Sequence, residues 1–298
     1  MTFESNESLE MHLGLGQGLV PEDPDELTPQ RASQISQLGV TRIMTHFAVA
    51  PGGLGGDRGK TLAETLDNAG LGIVQYGGFG PRLVSPDARI AAHDIGIIAE
   101  AMSSAQTVGA EAMLFGCGSH HPTFSYGPDP RNHTQETRDR LVRNLAILAR
   151  HAEDAEMPVS LEAHLLTTLD TPEHVREILD AVDSPWIRAN YDPVNFLGSL
   201  EAVFSSGEVA ESAAATLGPR LAPSAHIKDV VVEPDLVLKI SEAAPGTGVM
   251  DLPAVLRACR HLPSDATLLV EHLGVRESAA ALRCVQELGA EHGVRFIS

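Results

Sequence analysis

The sequence alternates short apolar segments with stretches of helical spacing, a pattern that restricts the fold to one built on a parallel sheet. Between the apolar segments, side chains such as Ile95, Ile98 and Met102 recur at the spacing of one helix face. Thr28-Pro29 and Thr171-Pro172 predict helix starts, because Thr caps free amides and Pro suits the first turn. The strand-like segments are Met11–Leu15, Thr41–Thr45, Gly72–Tyr76, Glu111–Phe115, Val159–Glu162, Ile187–Tyr191, Ser224–Ile227 and Leu268–Glu271.

Eight such strands with intervening helices predict a (β/α)8 TIM barrel. A barrel of this kind needs about 250 residues, and the chain has 298. An open doubly wound sheet is the alternative, but Gly14, Gly16 and Gly18 lack the third glycine of a phosphate-binding turn. Because the sequence shows no internal repeat or Pro/Ser-rich linker, we expect residues 1–298 to form a single barrel domain.

The composition argues against several classes of partner. A formal net charge of −19 repels nucleic acid and anionic membranes. No apolar run is long enough to span a membrane, and the acidic N-terminus does not resemble a secretory signal. The three cysteines have no CxxC spacing and are expected to be reduced thiols. We therefore expect a cytoplasmic protein that acts on a small molecule.

Four metal-binding side chains stand at the ends of the last four predicted strands: Glu162, Asp192, His226 and Glu271. In a barrel these ends meet at the C-terminal rim, where active sites are built. A charged group at such a buried strand end is costly unless it is paired or bound to a cation. Three carboxylates and one imidazole suit a divalent ion, with Mn²⁺ the first choice and Mg²⁺ or Co²⁺ the alternatives.

The strings around these residues resemble those of the xylose-isomerase-like barrel superfamily of sugar phosphate isomerases and epimerases. The strings are LEAH, YDPVN, HIKD and VEHL, together with TLDTPEHVREILDAVDSP and PGTGVMDLPAVL. The resemblance implies metal-dependent isomerisation or epimerisation of a keto sugar through an enediolate. It also implies that Glu162 and Glu271 bind the metal and act as catalytic acid and base, while Asp192 and His226 only bind it.

Five further residues are predicted to contact the substrate. Lys228 and His164 each lie two positions after a ligand and point the same way if the strand continues. Asn195 stands where many epimerases of the superfamily have a histidine. His120 and His121 lie in the first of two long connections, residues 116–133 and 229–248, which we expect to cover the substrate.

Three other functions remain open at this point. The first is a lyase or dehydratase, since inosose dehydratases and subunits of C-glycoside-cleaving enzymes resemble the same fold. The second is the apurinic endonuclease branch, which Asn195 and the net charge of −19 disfavour. The third is a non-catalytic metal-binding subunit, which the presence of all four ligand types disfavours. Barrels of this group often form homo-oligomers, and a partner subunit is an alternative.

Overall fold

Eight parallel strands close into a barrel, as the alternating pattern predicts. The computed structural model describes residues 8–297. Strands β1 to β7 and β10 form the barrel: each pairs in parallel with its neighbours, and pairing of β10 with β1 closes the sheet. The strands in chain order are β1 (Leu9–Leu15), β2 (Arg42–His46), β3 (Gly72–Gly77), β4 (Met113–Gly116), β5 (Val159–Glu162), β6 (Ile187–Tyr191), β7 (Leu221–Ile227), β8 (Asp229–Val232), β9 (Ile240–Ala243), β10 (Thr267–Val270) and β11 (Val294–Ile297).

Helices connect the barrel strands, and two begin where the Thr-Pro pairs predict. The Thr28 and Thr171 hydroxyls accept hydrogen bonds from backbone amides of the first turn. Within residues 8–297, no helix is both long and apolar enough to cross a membrane. The helices are α1 (Pro29–Ser36), α2 (Gly56–Ala69), α3 (Ala88–Thr107), α4 (Gln135–Asp154), α5 (Pro172–Val182), α6 (Leu200–Phe204), α7 (Ser206–Leu217), α8 (Leu252–Ala258) and α9 (Val275–Glu291).

The apolar core has two parts. The larger cluster packs the strands against the surrounding helices. A smaller cluster of Met44, Val74, Leu114 and Leu269 comes from β2, β3, β4 and β10. Because strands of a closed parallel sheet are covered on both faces, their segments are almost continuously apolar, which made them recognisable in the sequence.

The structure adds elements that the sequence pattern did not predict. Strands β8 and β9 pair antiparallel within residues 229–248, which we had expected to be an irregular connection. Strand β11 pairs in parallel with the first half of β1. These strands are short and lie outside the closed eight-stranded ring, so they lack the apolar signature of the barrel strands.

One buried carboxylate fixes the base of the β8–β9 hairpin. Asp229 accepts hydrogen bonds from the backbone amides of Val230, Gly246, Gly248 and Met250 at 2.8–3.1 Å. A side chain at Gly248 would collide with the Val230 carbonyl and the Asp229 carboxylate. The PGTG string therefore allows the chain to wrap closely around Asp229, which places the hairpin beside the rim of the barrel.

Candidate metal centre

The structure brings the four predicted ligands together at the C-terminal rim. Each of Glu162, Asp192, His226 and Glu271 offers one ligand atom, and these atoms all lie within 4.8 Å of one another. Asp192, His226 and Glu271 are almost completely buried. Parallel strands present their carboxyl ends on one edge of the sheet, which explains why residues spread over 110 positions of the chain converge.

The imidazole of His226 lies at the centre of the cluster. Its Nδ1 atom is 2.9 Å from Glu271 Oε1, 3.5 Å from Asp192 Oδ2 and 3.6 Å from Glu162 Oε1. Three carboxylate oxygens and one ring nitrogen therefore face a common point. Such a mixed oxygen and nitrogen set suits a divalent cation of hard to borderline character.

A buried polar network beneath the cluster orients His226. The ring Nε2 lies 2.8 Å from Gln75 Oε1, and the Gln75 amide group donates to Asn190 Oδ1 at 2.9 Å and Ser224 Oγ at 2.8 Å. With its amide hydrogens directed to those oxygens, Gln75 can only accept from His226. When the ring is neutral, as a metal ligand must be, its proton is thereby placed on Nε2 and the Nδ1 lone pair faces the carboxylates. Without a metal, burial lowers the pKa of His226, but the three carboxylates outweigh this and raise it well above its usual value, so the ring then carries positive charge.

Lys228 is also part of this cluster. Its ammonium Nζ lies 2.5 Å from Glu271 Oε1 and 2.8 Å from Asp192 Oδ2, and only 3% of the residue is exposed. Asn195 Nδ2 donates to the same Asp192 oxygen at 3.1 Å. Two residues predicted to contact substrate thus hold a carboxylate of the ligand set in place.

The charges of the cluster depend on one another. Burial raises the pKa of Glu271, but His226 and Lys228 outweigh this and hold it well below its usual value. Burial likewise raises the pKa of Asp192, and Lys228 outweighs it. Burial lowers the pKa of Lys228, yet Asp192 and Glu271 raise it well above normal. The carboxylates are therefore ionised near neutral pH and need compensating positive charge.

One buried oxygen of the cluster tests whether a cation would fit. Asp192 Oδ1 has no hydrogen-bond partner, although it is shielded from solvent. Leaving such an atom unsatisfied is costly, and buried charges are normally paired or bound to a metal. A divalent cation among the four ligand atoms would add positive charge beside the three carboxylates, so the residues fit one.

A cavity of about 340 Å³ opens above the cluster. Glu162, His164, Asn195 and Lys228 line it, whereas Asp192 and His226 lie behind its wall. A neighbouring cavity of about 380 Å³ shares Lys228, Glu242 and His272 with the first, and Glu271 opens to it. Glu162 and Glu271, the two proposed acid–base residues, therefore each line one of two adjoining cavities that share Lys228.

The histidines of the first long connection lie away from this cavity. His120 Nε2 contacts the Thr137 hydroxyl at 3.0 Å, and its backbone amide donates to Asn132 Oδ1. The His121 amide donates to Ser119 Oγ at 3.1 Å. Both residues fix the connection to itself and to α4, so the structure does not bring them to the other candidate residues.

The same connection supplies a site residue that sequence reasoning missed. Tyr126 donates its hydroxyl to Glu162 Oε2 at 2.8 Å and packs edge-on against His164. Gly116 leaves room for the tyrosine ring, because a side chain there would collide with it. Nothing in the string TFSYGPD distinguishes this tyrosine from a surface residue.

Glu242 and His272 form a second unpredicted group at the site. His272 Nδ1 lies 2.7 Å from Glu242 Oε2, and Glu242 Oε1 lies 3.5 Å from Lys228 Nζ. The backbone of His272 has a φ of +59°, the left-handed region that non-glycine residues rarely adopt. Glu242 lies on β9 of the β8–β9 hairpin. Because the sequence pattern did not predict this hairpin, it could not place Glu242 at the site.

We predict that Gln75→Leu weakens Mn²⁺ binding by about 10- to 100-fold, because His226 loses the acceptor that sets its tautomer. Gln75→Glu keeps an acceptor and should recover part of the affinity. Gln106→Leu, which removes a surface amide bonded to the Ala155 carbonyl, should change nothing. Calorimetric titration of folded protein measures all three, and unaltered affinity in Gln75→Leu would contradict the assigned role.

Lys228→Met should destabilise the metal-free protein by about 3–5 kcal/mol, since it leaves buried carboxylates without their cation. Saturating Mn²⁺ should remove most of that loss by supplying positive charge at the same carboxylates. The matched control is Lys239→Met, because the Lys239 side chain is 63% exposed and 3.9 Å from Glu233. Urea unfolding with and without Mn²⁺ tests this, and a loss that Mn²⁺ leaves unchanged would count against a shared site.

Comparison with solved structures places the same architecture in several proteins. The xylose isomerase domain protein from Planctomyces limnophilus gives a TM-score of 0.71 at 20% identity, covering 95% of this chain and 98% of that one. A xylose isomerase-like TIM barrel protein from Mycobacterium smegmatis, in complex with magnesium, gives 0.70 at 15% identity, covering 95% and 97%. The 3-keto-D-glucoside 4-epimerase YcjR from E. coli gives 0.67 at 15% identity, covering 94% and 99%.

At these identities the similarity to solved structures shows the fold alone. No curated protein sequence matches the chain significantly. The family model described as xylose isomerase-like TIM barrel matches residues 32–297, which is most of the chain. The resemblance found in the strand-end strings is thus confirmed, and the protein belongs to the xylose isomerase-like TIM-barrel family.

Proposed function

We propose that the protein is a divalent-metal-dependent isomerase or epimerase that acts on a keto sugar or a related polyol through an enediolate. The observation that carries this proposal is the buried cluster of Glu162, Asp192, His226 and Glu271 beneath a small-molecule cavity. Family membership supports it, as does the similarity to a structure titled as a 3-keto-D-glucoside 4-epimerase. Mn²⁺ is the proposed metal, with Mg²⁺ and Co²⁺ as alternatives.

A bound cation would act as a Lewis acid toward the carbonyl and the adjacent hydroxyl of the substrate. One glutamate then removes the proton from the carbon beside the carbonyl. The C–H electrons form the new C=C bond, and the carbonyl electrons move to oxygen, which gives the enediolate. The other glutamate, protonated, returns a proton. Return to the opposite face of the same carbon gives an epimer. Return to the former carbonyl carbon gives an isomer, provided that the proton of the adjacent hydroxyl moves to the former carbonyl oxygen, so that the adjacent oxygen becomes the new carbonyl.

The surroundings of Glu162 and Glu271 differ, which gives them different tasks. Glu162 lines the substrate cavity, and Tyr126 holds its Oε2 atom. Glu271 is 3% exposed and lies against Lys228. We propose that Glu162 exchanges its proton directly with the cavity, while Glu271 does so when Lys228 turns from it toward a substrate oxygen. Lys228 then stabilises the developing oxyanion.

His164 and Asn195 are the proposed contacts to the substrate hydroxyls. Both line the cavity, and burial lowers the pKa of His164, which makes the ring neutral near pH 7. A neutral ring has one nitrogen that accepts a hydrogen bond and one that donates. His164 Nδ1 already accepts from the Leu166 amide at 3.2 Å, so the ring proton is on Nε2, and His164 would donate from Nε2 to a sugar oxygen.

The proposal predicts metal-dependent exchange of a substrate proton with solvent. Incubation of keto sugars with protein and Mn²⁺ in D₂O should introduce deuterium beside the carbonyl, measured by mass spectrometry. Glu271→Gln should slow exchange by about 10²- to 10⁴-fold, because the amide cannot accept the proton. Glu211→Gln, a surface control paired with His261, should leave exchange intact.

Measurement of bound Mn²⁺ in Glu271→Gln distinguishes loss of the acid–base group from loss of the metal. Glu271→Gln that still binds Mn²⁺ but has lost exchange supports the acid–base role. Full exchange in that variant would refute it, and absence of exchange with every keto sugar would refute an epimerase. Exchange accompanied by loss of water or another leaving group would instead identify a lyase, which uses the same first proton transfer.

A further inference from the structure

We infer that the substrate is an uncharged sugar that carries an apolar, aromatic substituent, and that the cavity has a separate apolar subsite for this substituent. The inference rests on the proposed function, and it names the substrate class. Two observations carry it: an aromatic wall on one side of the cavity, and the lack of free positive charge in its lining.

The aromatic wall consists of Phe79, Phe115, Phe124 and Tyr126, all of which line the cavity. They come from β4 and from the connections that follow β3 and β4. In the closed barrel, β3 and β4 lie three or four strands away from β7 and β10, which carry the His226 and Glu271 side of the metal centre. The wall therefore stands across the rim from those ligands.

Phe124 is the most exposed member of the wall. The residue is 58% exposed, although its ring lies 6.2 Å from that of Tyr126 at the cavity mouth. Its backbone is fixed, because the carbonyl accepts from Ser119 Oγ and from the Gly127 amide, each at 2.9 Å. A large apolar ring that is held in place at a cavity mouth gains free energy when a flat apolar group covers it.

The lining has no group suited to hold the phosphate of a phosphorylated sugar. Among the described lining residues, Lys228 is the one permanently cationic side chain, and Asp192 and Glu271 already pair with it. No arginine lines the cavity within the described chain, and Glu162 and Glu242 are acidic. Phosphate sites rely on arginine, lysine or helix N-termini. A phosphate group would therefore find no free cationic side chain here.

Two histidines of the lining already have partners. His272 Nδ1 lies 2.7 Å from Glu242 Oε2, and His164 Nδ1 accepts from the Leu166 amide at 3.2 Å. The lining thus favours hydroxyls on one side and a flat apolar group on the other.

The test compares methyl and phenyl 3-keto-β-D-glucosides, which share a carbonyl flanked by hydroxyls and differ in the substituent. With Mg²⁺-loaded protein, saturation-transfer NMR measures binding, and deuterium exchange measures reaction. The phenyl compound should bind about 3- to 10-fold more tightly, as one aromatic contact allows. Phe124→Ala should abolish this preference. Phe204→Ala removes a 72% exposed ring that lines another groove and should preserve it.

The possible results test the apolar subsite and the proposed function separately. Equal binding of both glycosides, a preference that survives in Phe124→Ala, or tighter binding of the 6-phosphate of the methyl compound would each overturn the apolar subsite. If both glycosides exchange equally, the proposed function stands and the subsite fails. If the phenyl compound binds preferentially through Phe124 but neither exchanges, the subsite stands and the enediolate chemistry fails. Absence of binding by both compounds contradicts the subsite.

Discussion

The structure depends on a balance of charge at one edge of the barrel. Three carboxylates lie with one imidazole so closely that their ligand atoms are all within 4.8 Å. Buried carboxylates at such distances repel one another and are tolerated only with compensating positive charge. Lys228 and His226 supply part of it, and Asp192 Oδ1 still lacks a hydrogen-bond partner. We propose that a divalent cation completes the balance, beneath the cavity that Glu162 and Lys228 line.

The remainder of the fold holds these charged side chains in position. The parallel barrel places four strand ends on one edge, and the Gln75 network beneath them sets the direction of the His226 ring. The two long connections add Tyr126 and Glu242, each of which touches a charged member of the cluster. In the proposed mechanism the fixed carboxylates bind the cation and move protons, while the surrounding connections determine which substrate reaches them.

The barrel and its four strand-end ligands could be predicted because both leave local signals in the sequence. Buried parallel strands are apolar runs, and a single ligand at the end of each run is conspicuous. Tyr126 and Glu242 could not be predicted, since their positions depend on how long connections fold back over the rim. His120 and His121 show the reverse: the connection was correctly expected near the site, but its hydrogen bonds direct both histidines elsewhere. Gln75 is visible in the sequence as a polar residue within an apolar strand, but only the structure shows that it orients His226.

The central claim is that a divalent cation binds among Glu162, Asp192, His226 and Glu271. Diffraction from Mn²⁺-soaked crystals at the manganese absorption edge tests it most directly, because the anomalous signal locates the ion without assumptions about activity. The account predicts one strong peak at about 2.0–2.3 Å from carboxylate oxygens and from His226 Nδ1. Lys228 should have moved away from Glu271. A map without a peak at this point, or with the ion bound elsewhere while Lys228 still bridges the carboxylates, would contradict the account.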